Sequence, residues 1–205
     1  MSTALPRANV EEIVARRREL AKQAAEQRVE RERSLALQAA RWLANSPEGN
    51  CLVGELLEFR GQFTVTCQTS VLVPFMTYLR DELGYGMLTD LSAVDTLRDE
   101  EPAPERFATL YILSNVEDEA RLIVRTFVDE DEPLVPTVTE VYPAANWAER
   151  EVYDMFGIEF SGHPNLIRLL LPAEYSGFPL RKDYPLRGRG ERDNFPVIHR
   201  DEANV

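Results

Sequence analysis

The pattern of apolar and polar positions changes rhythm three times along this chain. Residues 9 to 44 contain no glycine or proline and few large apolar side chains; alanine, glutamate and arginine dominate. Asn9 can cap a helix, and Glu11 and Glu12 fall in its first turn, where the helix dipole favours negative charge. Glu12 to Arg16 adds an i,i+4 pair. The apolar residues Ile13, Leu20, Ala24, Leu35 and Trp42 are sparse until the end. The pattern predicts a long, charged helix that protrudes from a core or docks on a partner. The proline and glycine of "NSPEGN" then stop it.

From residue 51 the period shortens. "CLVGELLEF" and "QFTVTCQ" flank Arg60-Gly61 and predict a hairpin. "VLVPFMTYLRDELG" predicts a helix, because Leu72, Phe75, Met76, Leu79 and Leu83 recur near 3.6 residues, and Gly84 suits its stop. "MLTDLSAVDTL" predicts a strand, and "RDEEPAPE" an acidic loop. "RFATLYILSNV" and "ARLIVRTFVD" predict two strands around a turn at Glu117 to Glu119. Further helices are expected in "DEDEPLVPTVTEVYPAANWAEREVYDMFG". Thr137 and Glu140 have capping-box spacing, and Asn146 and Glu149 a related spacing. In the second of these helices Ala148, Val152, Met155 and Phe156 form one apolar face, with Glu151 and Asp154 off it and Gly157 at the stop. Trp147 is expected to close its start.

Strands that cluster with few intervening helices predict an α+β fold: a two-layer α/β domain with a mixed sheet. The expected organisation is a charged helical extension over residues 1–48, a core over 49–160, and an irregular segment over 161–205. That last segment carries Pro164, Pro172, Pro179, Pro185 and Pro196, which preclude long regular structure. It also carries Leu166, Leu169, Leu170, Leu171, Tyr175, Phe178 and Tyr184, too apolar a set for a free tail. It reads as a strap that lies on a partner. Residues 181 to 200 hold six Arg and Lys against three Asp and Glu, so the strap is basic on a chain of net charge −12.

The chain has 205 residues and is 44% hydrophobic, enough for a real core. The negative charge argues against nonspecific binding of nucleic acid or of anionic lipid. No run approaches the roughly 18 to 20 apolar residues that a membrane-spanning helix needs, so direct membrane insertion is not expected. The arginine-rich N-terminus lacks the apolar stretch of a secretory signal, and Glu11, Glu12 and Glu19 are unlike a mitochondrial presequence. Cys51 and Cys67 have no CxxC spacing and cannot by themselves hold a cluster or a structural zinc. They could form one disulfide; two buried thiols is the simpler reading.

"WAEREVYDMFGIEFSGHPN", residues 147 to 165, offers the candidate chemistry. Glu149, Glu151, Asp154 and His163 invite an acid–base or metal reading. Helical metal motifs place a histidine among ligands at i and i+3 or i+4, whereas here the helix offers only carboxylates and His163 lies past its terminating glycine. Nothing marks one carboxylate of a glycosidase-type pair with a raised pKa. GxSxG, GxGxxG and P-loop motifs are missing, and "RGRGER" is one short tract on an acidic chain. Aromatic, arginine and methionine side chains near irregular backbone are instead the usual stuff of interface cores.

"NWAEREVYDMFGIEFSGHPN" followed by "GFPLRKDYPLRG", with "LTDLSAVDTL" upstream, resembles the 30-kDa subunit family, the C subunit, of proton-pumping NADH:quinone oxidoreductase, respiratory complex I. The likeness spans about residues 50 to 195 and leaves out the long first helix. It departs from the family at Asn165 and Ile167, where an acid and a base are usual after His163-Pro164, and at Phe178, often a histidine. The resemblance implies a peripheral-arm subunit with no catalytic residues, metal or cofactor of its own. FMN, iron–sulfur clusters, NADH and quinone belong to sibling subunits, and the partners are the D subunit and the B subunit. It places the chain on the cytoplasmic side of a bacterial inner membrane, held there through the complex. It reads Arg150, Glu151, Asp154, His163, Arg181, Lys182 and Asp183 as docking residues: Arg150, Glu151 and Asp154 as ion-pair or hydrogen-bond groups that fix the helix end and the start of the strap, His163 where the chain turns outward, and Arg181, Lys182 and Asp183 as anchors of the strap on the partner. Related subunits occur in membrane-bound hydrogenases, and a stand-alone metal hydrolase built on Glu151, Asp154 and His163 is the remaining alternative.

Overall fold

A computed structural model describes residues 7–99 and 103–190, with side chains from residue 12 onward. Helix α1 (Arg7–Ala44) leads into β1 (Leu57–Phe59) and β2 (Gln62–Cys67). A short 3-10 turn (Thr69–Val71) opens α2 (Leu72–Asp81), followed by β3 (Met87–Asp95), β4 (Phe107–Asn115) and β5 (Ala120–Val128). The chain closes with β6 (Leu134–Pro136), α3 (Ala145–Phe156) and β7 (Glu159–Ser161). The large sheet has the order β1-β2-β5-β4-β3; β2 and β5 are parallel and every other pair is antiparallel. This is the mixed sheet of an α+β domain.

Alternation fixes which sheet face is buried. Phe63 and Val65 of β2, Phe107, Tyr111 and Leu113 of β4, and Leu122 and Val124 of β5 point to one side and share a core with Leu72, Phe75, Met76 and Leu79 of α2. Leu88 and Leu91 of β3 both reach that core although three residues apart, because a register shift between Leu88 and Asp90 inserts an extra residue. Arg60 and Gly61 close the β1–β2 hairpin with φ of 52° and 74°, the left-handed pair that a two-residue turn requires. Asn115 ends β4 by donating to Leu83 O at 2.9 Å and Asp118 Oδ2 at 2.9 Å, tying the β4–β5 turn to the end of α2.

Two expectations need correction. Helix α1 is exposed from residue 12 to 27, but Ala36, Ala39, Ala40 and Leu43 are buried in the core and Trp42 stacks on Phe75 and Tyr78. The helix therefore protrudes at one end and is part of the core at the other. Second, residues 137 to 144 form turns, so the Thr137–Glu140 capping box makes no helix. Helix α3 starts at Ala145 with Ala144 as its cap, and Asn146 lies inside it. The parallel β6–β7 pair has three residues on each side, too few for a pattern to show. Among the described residues, no helix is long and apolar enough to cross a membrane.

Candidate docking site

Helix α3 exists because Ala145, Val152, Met155 and Phe156 are buried together, and it ends where Gly157 turns to φ 74°. Only glycine suits that position. A Cβ there would sit 2.6 Å from the Phe178 ring and 2.7 Å from Arg181 Nη2, both on the strap. The helix end and the strap are thus packed as one piece.

Asp154 lies on the same turn as the apolar face and is fully buried, not off that face as the sequence pattern suggested. Its Oδ1 accepts from Arg168 Nη1 at 2.6 Å. Its Oδ2 accepts three consecutive backbone N–H groups, from Leu169, Leu170 and Leu171, at 3.0, 2.7 and 2.9 Å. Burial alone would favour the neutral acid, but those N–H groups and Arg168 outweigh it and hold the carboxyl below its usual range. Arg168 reaches on to Gly177 O at 3.3 Å and stands over the Phe178 ring. A strap with no regular structure is thereby wound around one carboxylate.

The other named residues act in the same way. Glu149 is fully buried. Its Oε1 accepts from Val138 N at 2.8 Å and its Oε2 is 2.5 Å from Thr137 Oγ1, so it ties the turns before α3 to the helix instead of capping Asn146. Burial pushes its carboxyl up to about 7, against the pull of those two hydrogen bonds. His163 is buried beside it, its Nε2 4.0 Å from Glu149 Oε2. Asn165 N donates to His163 Nδ1 at 3.0 Å, which leaves Nε2 to donate to Asn146 O at 3.1 Å. Arg150 stands over the Trp147 ring and donates to Ile167 O at 3.1 Å and Arg168 O at 3.3 Å.

Further along, Arg181 donates to Phe156 O at 2.5 Å between the rings of Phe107 and Phe178. Asp183 accepts from Arg106 Nη2 at 2.8 Å, and Asp95 accepts from Arg106 Nη2 at 2.9 Å and from Lys182 N at 2.8 Å. Sequence reasoning sent Arg181 and Asp183 to a neighbour; the structure uses both side chains on this chain. Of the seven residues assigned to docking, only Glu151 and Lys182 keep exposed side chains that engage none of the described residues. Sequence reasoning missed Asp95, Arg106 and Arg168. Asp95 did leave a signal: it continues the inward alternation Leu91, Ala93, Asp95 of β3, and a buried carboxylate needs a cation.

Glu151, Asp154 and His163 are not brought together, since the Asp154 oxygens are taken by Arg168 and backbone N–H groups while His163 sits at Asn146. Among the described residues no group of three or more His, Cys, Asp or Glu is placed to hold a metal ion. Beside the exposed Glu151 and Lys182, the site also presents large apolar side chains to the outside. Trp147, Ile167, Leu170 and Leu180 are 64%, 54%, 60% and 52% exposed, on a backbone that the buried polar contacts hold in place.

Residues 65–190 match the family model of the respiratory-chain NADH dehydrogenase 30 Kd subunit. The C subunit of the NADH-quinone oxidoreductase of Geobacter metallireducens is 43% identical over 136 residues, which is 66% of this chain and 82% of that protein. NADH-quinone oxidoreductase subunit 5 of Thermus thermophilus is 47% identical over 109 residues, 51% of this chain and 53% of that one. Among solved structures, the trypsin-resistant fragment (1-134) of Nqo5 is 33% identical with a TM-score of 0.56, covering 64% of this chain and 99% of the fragment. A chain of the archaeal membrane-bound sulfane sulfur reductase shares the fold with a TM-score of 0.58 at 23% identity, over 80% of this chain and 95% of its own length. The chain belongs to the family of the 30-kDa subunit of respiratory-chain NADH dehydrogenase.

Proposed function

We propose that this chain is a non-catalytic subunit of the peripheral arm of a proton-pumping NADH:quinone oxidoreductase. In this reading it braces the D subunit, and the B subunit beside it, while electrons pass from NADH through FMN and iron–sulfur clusters on sibling subunits to quinone. It carries no cofactor itself, and the assembled complex holds it on the cytoplasmic side of the bacterial inner membrane. The relatives' names support the complex. The observation that carries a bracing role is the exposed Trp147–Ile167–Leu170 surface, set on backbone whose own polar groups are already satisfied. An apolar surface kept in one conformation loses little entropy when a partner covers it. The sulfane sulfur reductase likeness, at 23% identity, speaks for the fold alone and leaves a related membrane complex as the second reading.

The test uses a tagged chain recovered from gently solubilised membranes. Wild type brings down quinone-site subunits and supports NADH:quinone activity. Trp147→Ala with Ile167→Ser keeps its melting temperature and loses most of the co-purifying partner. Full recovery of partner with the double variant would sink this assignment of the surface, and recovery of no sibling subunit with wild type would sink the complex itself.

A further inference from the structure

The sheet has a second face, and its composition does not suit water. Where one face of an antiparallel sheet is solvated, its strands alternate apolar-in and polar-out. In β4 and β5 the positions facing away from the core are Ala108, Leu110, Ile112 and Ser114, then Arg121, Ile123, Arg125 and Phe127. Five of these eight are apolar, and the polar pair Ser114–Arg121 sits at one end, so the stretch from Ala108 to Ile112 beside Ile123 to Phe127 carries the pattern of strands covered on both sides. The register lines them up across the sheet: Leu57 with Thr64, Ile123 and Ile112 in one row, and Val94 with Ala108 and Phe127 in another. The buried residues of all three helices cluster with the opposite face, leaving Leu57 46% and Val94 37% exposed here.

A groove of about 440 Å³ runs over this face, lined by Leu57, Val94, Leu110, Phe127 and Arg125. It joins a second groove of about 560 Å³, which carries Asp99, Glu105, Asp129, Glu130 and Asp131. Within that acidic groove Arg106 is already committed to Asp95, Asp183 and Glu130. Arg125 stands over the Phe127 ring and donates to Thr66 Oγ1 at 3.0 Å. Burial works against its charge, and among the described residues no carboxylate lies within ion-pair distance of it. A half-buried cation in an apolar face is therefore open to an incoming acceptor.

We propose that this open sheet face is a second docking surface, occupied by a basic segment of another subunit that seats apolar side chains against Leu110 and Phe127, offers an acceptor to Arg125 and lays lysine or arginine over the acidic groove. The proposal rests on the reading of the chain as a subunit and is separate from the surface around Trp147. Charge selects the occupant: on a chain of net charge −12, an acidic segment would be repelled from the acidic groove.

The experiment places a photo-crosslinking amino acid at position 110 in the full chain within the purified membrane complex. The same residue at position 167 reports the strap surface, and exposed Ser92, in the same row as Leu110, replaces position 110 if that variant does not fold. The expected product joins position 110 to a sibling segment with lysine or arginine within a turn of apolar residues. Asp129→Asn with Asp131→Asn should lower its yield severalfold and flatten its dependence on salt. Crosslinks at 167 with none at 110 would overturn the second surface and leave the subunit reading intact. Products from 110 to a second copy, to lipid or to this chain would overturn it too, as would a yield indifferent to the acidic variants. Silence at both positions in the intact complex would overturn the second surface as well, whereas failure of the tagged chain to bring down any sibling subunit would remove the subunit reading along with the proposal.

Discussion

The core and the strap are built on opposite plans. In the core, apolar side chains point inward, and the sheet and α2 need little beyond their packing. In the strap, Leu166 and Leu171 pack against the core while Ile167, Leu170 and Leu180 stay exposed, and polar groups are turned inward, onto Asp154, Asp95 and Phe156 O. A segment with five prolines cannot satisfy its backbone through ladders or helix bonds, so buried carboxylates of the core accept its N–H groups instead. A strap can thus be ordered by electrostatics on its own domain while Ile167, Leu170 and Leu180 stay exposed.

The largest effect should come from Asp154→Ala. It strips three N–H groups of their acceptor and leaves Arg168 without its anion. Breaking a buried pair from one side costs about 3 to 5 kcal/mol. Truncating Phe75, fully buried in the core, should cost a similar amount, about 3 to 5 kcal/mol, yet through a cavity. The two differ in where the loss falls. Phe75→Ala should lower the melting temperature of the whole domain, while Asp154→Ala should expose residues 165 to 190 to protease with the sheet still folded. If both variants melt and cleave alike, strap and core are one cooperative unit and the contrast fails.

Next is pH. Glu149 is fully buried and its folded pKa, about 7, lies above the ordinary 4.5. Its contribution is fully present below pH 4.5 and is lost as pH rises through 7. Integrated over that window, the shift amounts to about 3 kcal/mol. Asp154 and Asp95 have lowered values, so their contribution is present above the usual carboxylate range and is lost only in acid, as pH falls through their folded pKa. Urea unfolding of wild type and Glu149→Gln at about pH 5 and pH 7.5 checks this. Wild type should lose stability toward the higher pH and the glutamine variant much less. Parallel curves would show that Glu149 is ionised in the fold at both values.

These residues also mark where the sequence was readable. The five core strands, α2 and the stop at Gly157 came from alternation, 3.6-residue spacing and glycine, all local signals. The inner turns of α1 did not, because Ala36, Ala39 and Ala40 give a weak apolar stripe whose burial depends on the sheet behind it. The capping spacing of Thr137 and Glu140 misled for a related reason. Thr137 is used by Glu149, twelve residues on, and a tertiary bond displaced the local one. In the strap, composition revealed that the segment needs a surface to lie on, and that surface was read as a partner's. Which anchors belonged to this chain could not be read, since Asp95 and Lys182 are 87 residues apart.

Arg181 and Lys182 set the two plans side by side within one dipeptide. Arg181→Glu removes the bond to Phe156 O and both ring contacts, and sets a carboxylate near Asp183 and Asp95. Losing a charge-assisted bond and leaving its acceptor buried costs about 2 kcal/mol or more. Lys182 uses only its backbone N–H, so Lys182→Glu should stay within about 0.5 kcal/mol. Chemical denaturation of the two single variants separates them. Equal losses would mean that the side chain of Lys182 has a buried partner.

The smallest expected effect lies in the core hairpin and should leave the strap untouched. Arg60 is held at φ 52°, a conformation that costs a non-glycine residue about 1 kcal/mol and that asparagine tolerates best. Its guanidinium lies 5.0 Å over the Phe59 ring, an exposed contact of about 0.5 kcal/mol that asparagine would forfeit. The difference favours Arg60→Asn by about 0.5 kcal/mol, a rise in melting temperature of about 1 to 2 °C for a domain of this size. The rate of proteolysis in the strap should not change, because its anchors are Asp95, Asp154 and Phe156 O, none of them in the hairpin. A melting temperature that falls would show that the ring contact outweighs the backbone strain. A slower cut in the strap would show that the hairpin and the strap communicate, and the two building plans would then be coupled after all.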